Sequence, residues 1–252
     1  MLRLFLTRRW LVRLLAGIIL ATACVLLGLW QLDRNEQRAA RNAVVEANAG
    51  ADPVAIDQLV TPDDPVDDDL RWRPVTVRGT YDRENQLRLR LRPVGGDRGV
   101  HVVVPLVTPE GSVLLVDRGF VPGTDDVTIP PPPSGEVTII GRLRPSEHGR
   151  GLGGSLSDGT IRYLDIAAIA AQWDLPLYHG WVALLHEDPP AAESLTPLPE
   201  PTTEPGPHLS YAVQWFLFAI IGVGGFIVLI RAESNAPAGR SAEPTQLQRN
   251  DT

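Results

Sequence analysis

Between Leu209 and Ile230 the chain carries no charged residue, and His208 stands immediately ahead of that run. Twenty-two uncharged residues in a row suffice to cross a hydrocarbon core of roughly 30 Å as a helix. A second apolar run begins at Leu14 and reaches Trp30. Two such runs, one near each end, leave a single topology class: a pair of membrane helices at 14–32 and 209–230 enclosing whatever folds from 33 to 207. Arg3, Arg8, Arg9 and Arg13 precede the first run and Arg231 follows the second. Cytoplasmic flanks are rich in arginine, so residues 1–13 and the tail 231–252 are expected inside and residues 33–207 outside. Ala21-Thr22-Ala23-Cys24 faintly resembles a lipoprotein cleavage box, but the chain stays apolar past the cysteine, so an uncleaved helix is expected.

Composition narrows the chemistry. All 23 basic residues are arginine, which excludes lysine-based Schiff-base or Ser-Lys catalysis within the chain. Cys24 is alone, so there is no internal disulfide or dithiol. The segment 33–207 holds 27 Asp and Glu against 16 Arg, which argues against nucleic acid as a partner. No HExxH, CxxC, phosphate-binding loop or nucleophile elbow occurs, and no enzyme is read. Arginine-, alanine- and proline-rich usage fits a bacterial plasma membrane.

The outer segment reads as an α+β, mainly antiparallel β domain with its ordered core at about 70–186. Residues 33–49 keep helix formers and prolong the first helix. Residues 50–69, with three prolines and an acidic cluster, read as a solvated linker. Val75–Tyr81, Gln86–Arg92, Val100–Val107, Ser112–Phe120, Glu136–Leu143 and Leu177–Leu185 read as strands. Asp165 is placed to cap a short helix ending at Trp173. Residues 188–207 read as an extended, proline-rich spacer.

Four of the five histidines have weak claims. His101 opens an apolar strand, where a hydrogen-bonded structural role is expected, and His148 lies in a loop without companion ligands. His179 and His186, seven apart on a strand, are expected on opposite faces. His208 is different: with Ala212, Trp215, Ala219 and Gly222 it lines one helical face, and Gly17, Ala21, Cys24 and Gly28 line a matching face of the first run. Their pairing would leave a notch holding His208 and Trp215. His208 is then either an interfacial hydrogen-bonder or a ligand for a group at the membrane edge, such as a heme, and the residues alone leave both open. Arg88, Arg90 and Arg92 alternate with leucines and form a basic ridge. It is either a solvated face or a surface for carboxylates, heme propionates among them.

Leu27-Gly-Leu-Trp-Gln-Leu-Asp-Arg34 resembles the Gly-x-Trp-Gln-x-x-Arg signature of the Surfeit locus protein 1 family. Arg73–Tyr81 and Gly99–Leu106 are similar to further family motifs, as is Leu114–Pro122, with Phe120 where the family has tryptophan. His208-Leu-Ser-Tyr-Ala-Val-Gln-Trp215 resembles the opening of its second span. The resemblance implies a non-enzymatic assembly factor for cytochrome c oxidase that receives or hands over heme a. It implies oxidase subunit I, heme a synthase and membrane lipid as partners. It places heme a on His208, the sole metal contact being through the heme iron, with Trp215 beside it. A scaffold for the oxidase apoprotein that does not touch heme is the first alternative, a membrane-tethered sensor or transport accessory the second.

Overall fold

The computed structural model describes residues 8–123, 128–173 and 175–235; residues 1–7 and the tail beyond Asn235, expected inside the cell, lie outside them. The chain divides into two units, one of residues 1–38 with 205–252 and one of residues 39–204.

The first unit is a helix pair. Helix α1 spans Arg8–Ala49, a single helix of 42 residues that runs through the expected extension. Helix α2 (Ile166–Trp173) belongs to the second unit, and α3 (His208–Ser234) completes the first. Both α1 and α3 are long and apolar enough to span a membrane. They run antiparallel. Arg13 meets Glu233 at 3.3 Å near one end, Trp10 packs edge-on against Phe226, and Gln31 meets His208 near the other. Leu15, Ile18, Leu26, Ile220, Ile221 and Val228 are all more than half exposed and lie outside the groove between the helices, as lipid-facing positions do.

The second unit is built on strands β1 (Val54–Ala55), β2 (Pro74–Tyr81), β3 (Leu87–Arg90), β4 (Gly99–Val107), β5 (Val113–Pro122), β6 (Glu136–Pro145), β7 (Thr160–Ile161) and β8 (Leu177–Asp188). Their order is β1-β2-β6-β8-β5-β4-β3-β7, and an additional pairing joins β2 to β4. That pairing, Thr80 opposite Val107 and Tyr81 opposite Leu106, closes β2, β6, β8, β5 and β4 into a ring. Gly79 permits the closure, because a Cβ there would lie 2.5 Å from the Val107 carbonyl oxygen.

Period-two burial splits the apolar residues into two cores. Val75, Val77, Val104, Leu106, Leu114, Val116, Ile139 and Val182 fill one. The alternate residues Val103, Val113, Leu115, Trp181 and Ala183 face the other way and pack under Leu87, Leu89, Ile161, Leu164 and Ile169, contributed by β3, β7, α2 and the turn before α2. Each large apolar side chain so buried contributes about 1.5–3 kcal/mol. Asp165 caps α2 as expected, its Oδ1 accepting the Ala168 N–H, while Oδ2 gathers the N–H groups of Arg150 and Gly151.

One expectation is refined and two change. The sheet is mixed: five of its eight pairings are antiparallel, as expected, and three are parallel. β8 lies parallel to β5 at its centre, and β1 and β7 are parallel edge strands. The chain leaves β5, forms β6, β7 and α2, and re-enters beside β5 in the same direction, the crossover that a parallel pair demands. Residues 54–66 are not a solvated linker, since Ile56, Val60 and Val66 are buried in the first core. Nor is the stretch after β8 a spacer free of the domain. Thr196 bridges to Phe120, Leu195 and Leu198 pack on the two cores, and the Asn42 side chain donates to the Thr203 carbonyl. Both segments attach through isolated apolar residues that carry no periodicity.

Candidate functional site

The helix pair is held by small residues on one face of each helix. Ala212 is fully buried, Cys24 and Ala219 nearly so. At Gly28 a Cβ would sit 2.7 Å from the Phe216 ring, so the aromatic lies directly on the α1 backbone. Further along, the faces part into an apolar groove of about 480 Å³ lined by Gly17, Ala21, Cys24, Trp215, Ala219 and Gly222 among others.

His208 does not line that groove. It stands seven residues from Trp215, about 10 Å along the helix, beyond the Gly28–Phe216 contact. The single notch expected for both residues is therefore two places: an apolar groove at Trp215 and a polar site at His208. At the polar site, His208 Nδ1 lies 2.8 Å from Gln31 Oε1 on α1. That oxygen accepts, so the pairing suits an imidazole whose proton is on Nδ1, the neutral tautomer that leaves Nε2 with its lone pair. An imidazole oriented through one nitrogen, with the other left as a donor atom, is how proteins prepare histidine for a metal. Gly206 keeps this end compact, since a Cβ there would come within 3.2 Å of both Arg38 and the His208 ring.

Gln31 joins His208 at the candidate site, a pairing that residue-by-residue reading missed. It sits in the signature quoted above, but its partner lies 177 positions away. Among the described residues no three His, Cys, Asp or Glu side chains gather as a metal site, so any metal here would take a lone protein nitrogen.

The arginine ridge comes apart. Arg88 and Arg90 are exposed on β3, but Leu91 adopts φ 65°, the strand ends at Arg90, and Arg92 turns to pair with Glu147. A branched-chain apolar residue in the left-handed region is uncommon, and nothing in the leucine–arginine alternation signals it.

The remaining motif residues build the domain. Tyr81 donates to Glu187 Oε2 at 2.9 Å, and the buried Arg118 reaches Glu187 Oε1 at 3.4 Å and the Pro130 carbonyl at 3.1 Å. Burial, then the Glu187 carboxylate, pushes the Tyr81 hydroxyl far above its ordinary range. His101, as expected, is a hydrogen-bonded strand histidine, its Nδ1 3.1 Å from Asp117 Oδ2. His179 and His186 share one face after all, because a register shift opposite Ile140/Gly141 reverses the alternation of β8. They remain roughly 20 Å apart along the strand.

Burial raises the Asp117 carboxyl above its usual 3.8, with the His101 and Gly119 hydrogen bonds acting the other way. The folded state thus holds that proton more tightly than the unfolded one. The associated stability is fully present below about pH 4 and is lost as pH rises through the folded value. The advantage of the native protein over Asp117→Asn is expected to shrink from pH 4 toward neutrality, as read by melting of the detergent-solubilised chain. A constant difference across that range contradicts this assignment.

A profile of the SURF1 family matches residues 18–220. An uncharacterised SURF1-like protein of Mycobacterium tuberculosis is 33% identical over 241 residues, 91% of this chain and 88% of the relative. A SURF1-like protein of Monosiga brevicollis is 26% identical over 239 residues, 86% and 87% of the two chains. Human Surfeit locus protein 1 is 33% identical over 141 residues, 48% of this chain and 45% of the human one.

Proposed function

The chain belongs to the SURF1 family, and from that premise we propose that it assists assembly of a heme a-containing cytochrome c oxidase, receiving heme a as cargo for the catalytic subunit. It makes and breaks no covalent bond. The observation that carries the reading is His208, oriented by Gln31 so that Nε2 is available as a donor.

The donor chemistry of the site suits the cargo. A neutral imidazole nitrogen is an ordinary axial ligand for heme iron. No acidic side chain hydrogen-bonds the His208 ring among the described residues, and the ring is only partly exposed. The apolar groove at Trp215 is a separate seat suited to hydrocarbon. The residues therefore fit, with His208 holding iron, Gln31 fixing the ring, and Trp215 with its small-residue neighbours meeting the apolar part. Bound heme a supplies redox and oxygen chemistry only once it is inside the oxidase. A lone protein ligand suits transfer, because a carrier that saturated the iron would be slow to release it.

The arginines flanking α1 and α3 orient the pair with both termini cytoplasmic and residues 33–207 outside. Subunit I and heme a synthase are the partners this role requires. Deletion of the gene is expected to remove most of the heme a absorbance band from membranes, with restoration by the intact gene. Unchanged oxidase spectra in the deletion strain would move the reading toward a membrane-tethered accessory outside oxidase assembly.

A further inference from the structure

The second unit carries a basic cavity that the assembly reading does not use. Arg144 is stacked between two tryptophans, its guanidinium 4.1 Å from the Trp72 ring centre and 5.1 Å from that of Trp181. Trp72 reaches this position through a left-handed backbone, φ 69°, pinned by its N–H donating to the Leu143 carbonyl at 2.9 Å. Such a conformation is costly for a bulky residue and persists only where its surroundings enforce it. Arg71, Arg92 and Arg150 border the same cavity of about 480 Å³, with Tyr163 on its wall under Arg150.

The cavity is short of negative charge. The sole carboxylate lining it is Glu147, which accepts from Arg92 through both oxygens and from the Leu164 N–H. Arg71 also pairs with Asp68, which does not line the cavity. Burial, with Arg71 and Arg92 alongside, lowers the Arg144 guanidinium to about 10. Two buried donors have no hydrogen-bond partner, Arg144 Nε and the indole Nε1 of Trp181, whose side chain is 1% exposed. Buried donors are rarely left in this state, and both can donate only to an oxygen or another acceptor atom.

We propose that this cavity binds a small organic oxyanion bearing carboxylate or phosphate groups. Guanidinium forks match both groups in bidentate geometry, Trp181 and Tyr163 offer flat walls while Trp72 backs Arg144, and the volume suits an organic molecule rather than a bare ion.

The test uses the full chain in detergent, titrated with citrate and with pyrophosphate at constant ionic strength while tryptophan fluorescence is read. A saturable change is expected, since Trp72 and Trp181 flank Arg144. Arg144→Gln is expected to weaken binding at least about tenfold, as removal of a charge-assisted pair does. Arg150 is exposed, so Arg150→Gln keeps the fold and weakens binding measurably, whereas Arg88→Gln, outside the cavity, binds as the native protein does. Repeating the titration in nanodiscs separates two sources of the ligand. Loss of citrate binding in phosphatidylglycerol but not phosphatidylcholine discs assigns the site to a lipid phosphate, and equal binding in both assigns it to a soluble anion. No saturable response, or equal affinity in the native, Arg144→Gln and Arg150→Gln proteins, overturns the proposal.

Discussion

Glu187→Ala is expected to destabilise the β unit by about 3–5 kcal/mol, the usual cost of stranding one member of a buried ion pair. The side chain of Arg118 is 1% exposed and that of Glu187 10%. Removing the carboxylate leaves a guanidinium that burial keeps from water, and it also takes the acceptor from the Tyr81 hydroxyl. The remaining contacts of Arg118, the Pro130 carbonyl and the Tyr81 ring, do not neutralise it. For a folding unit of this size the loss corresponds to a fall in melting temperature of about 10 °C. Tyr81→Phe should cost only about 1 kcal/mol, because one neutral donor is lost while the ion pair stays. Glu136→Ala is the surface control. Its partner Arg78 is 65% exposed, and exposed pairs contribute about 0–1 kcal/mol. Melting curves of the three variants in the same detergent check the ranking, and a Glu187→Ala protein as stable as Glu136→Ala contradicts it.

That network also shows what the motifs are for. Tyr81, His101, Asp117, Arg118 and Gly119 all fall in stretches that resemble the family, and in the structure His101 and Gly119 pair with Asp117 while Tyr81 and Arg118 pair with Glu187 inside the β unit. Gly119, at φ 133°, accommodates the Leu195–Thr196 segment, where a Cβ would meet the Thr196 carbonyl oxygen at 2.6 Å. These residues shape a domain.

Much of the architecture was legible because it is local. The charge-free run after His208 and the small faces of the two helices foretold their pairing. Alternation located the principal strands, and Asp165 announced the start of α2. What was illegible depends on distant partners or on unusual backbone. Ring closure through Tyr81 and Leu106 is a contact across sequence that no local pattern carries. The parallel placement of β8 depends on the route of the crossover. Leu91 and Trp72 take left-handed conformations that favour glycine, so neither the divergence of Arg92 from its ridge nor the stacking of Arg144 could be read from spacing. The candidate site was half legible: His208 stood out on its helical face, but Gln31, which gives it a defined tautomer, was visible only once α1 and α3 were side by side.

His208→Ala is expected to abolish retention of heme a, the largest functional effect of any single substitution in the helix pair. The site supplies one protein nitrogen, so nothing within it replaces the imidazole. Gln31→Ala should leave the ligand in place and weaken retention about 10- to 100-fold, the usual cost of removing a group that orients a metal-binding histidine. Gln31→Glu, which keeps an acceptor at the same position, should restore most of it. This ordering separates a ligand held by its neighbour from a hydrogen bond that merely clamps two helices. In the clamp case the two alanine variants would behave alike, since each breaks the same bond. The deciding measurement is the heme a absorbance per polypeptide of the native, Gln31→Ala and His208→Ala proteins, purified in detergent from cells that synthesise heme a. The account predicts heme a on the native protein, little on Gln31→Ala and none on His208→Ala. Heme-free native protein contradicts it and leaves the chain as a scaffold for the oxidase apoprotein, while equal heme on all three contradicts it by placing the iron ligand elsewhere.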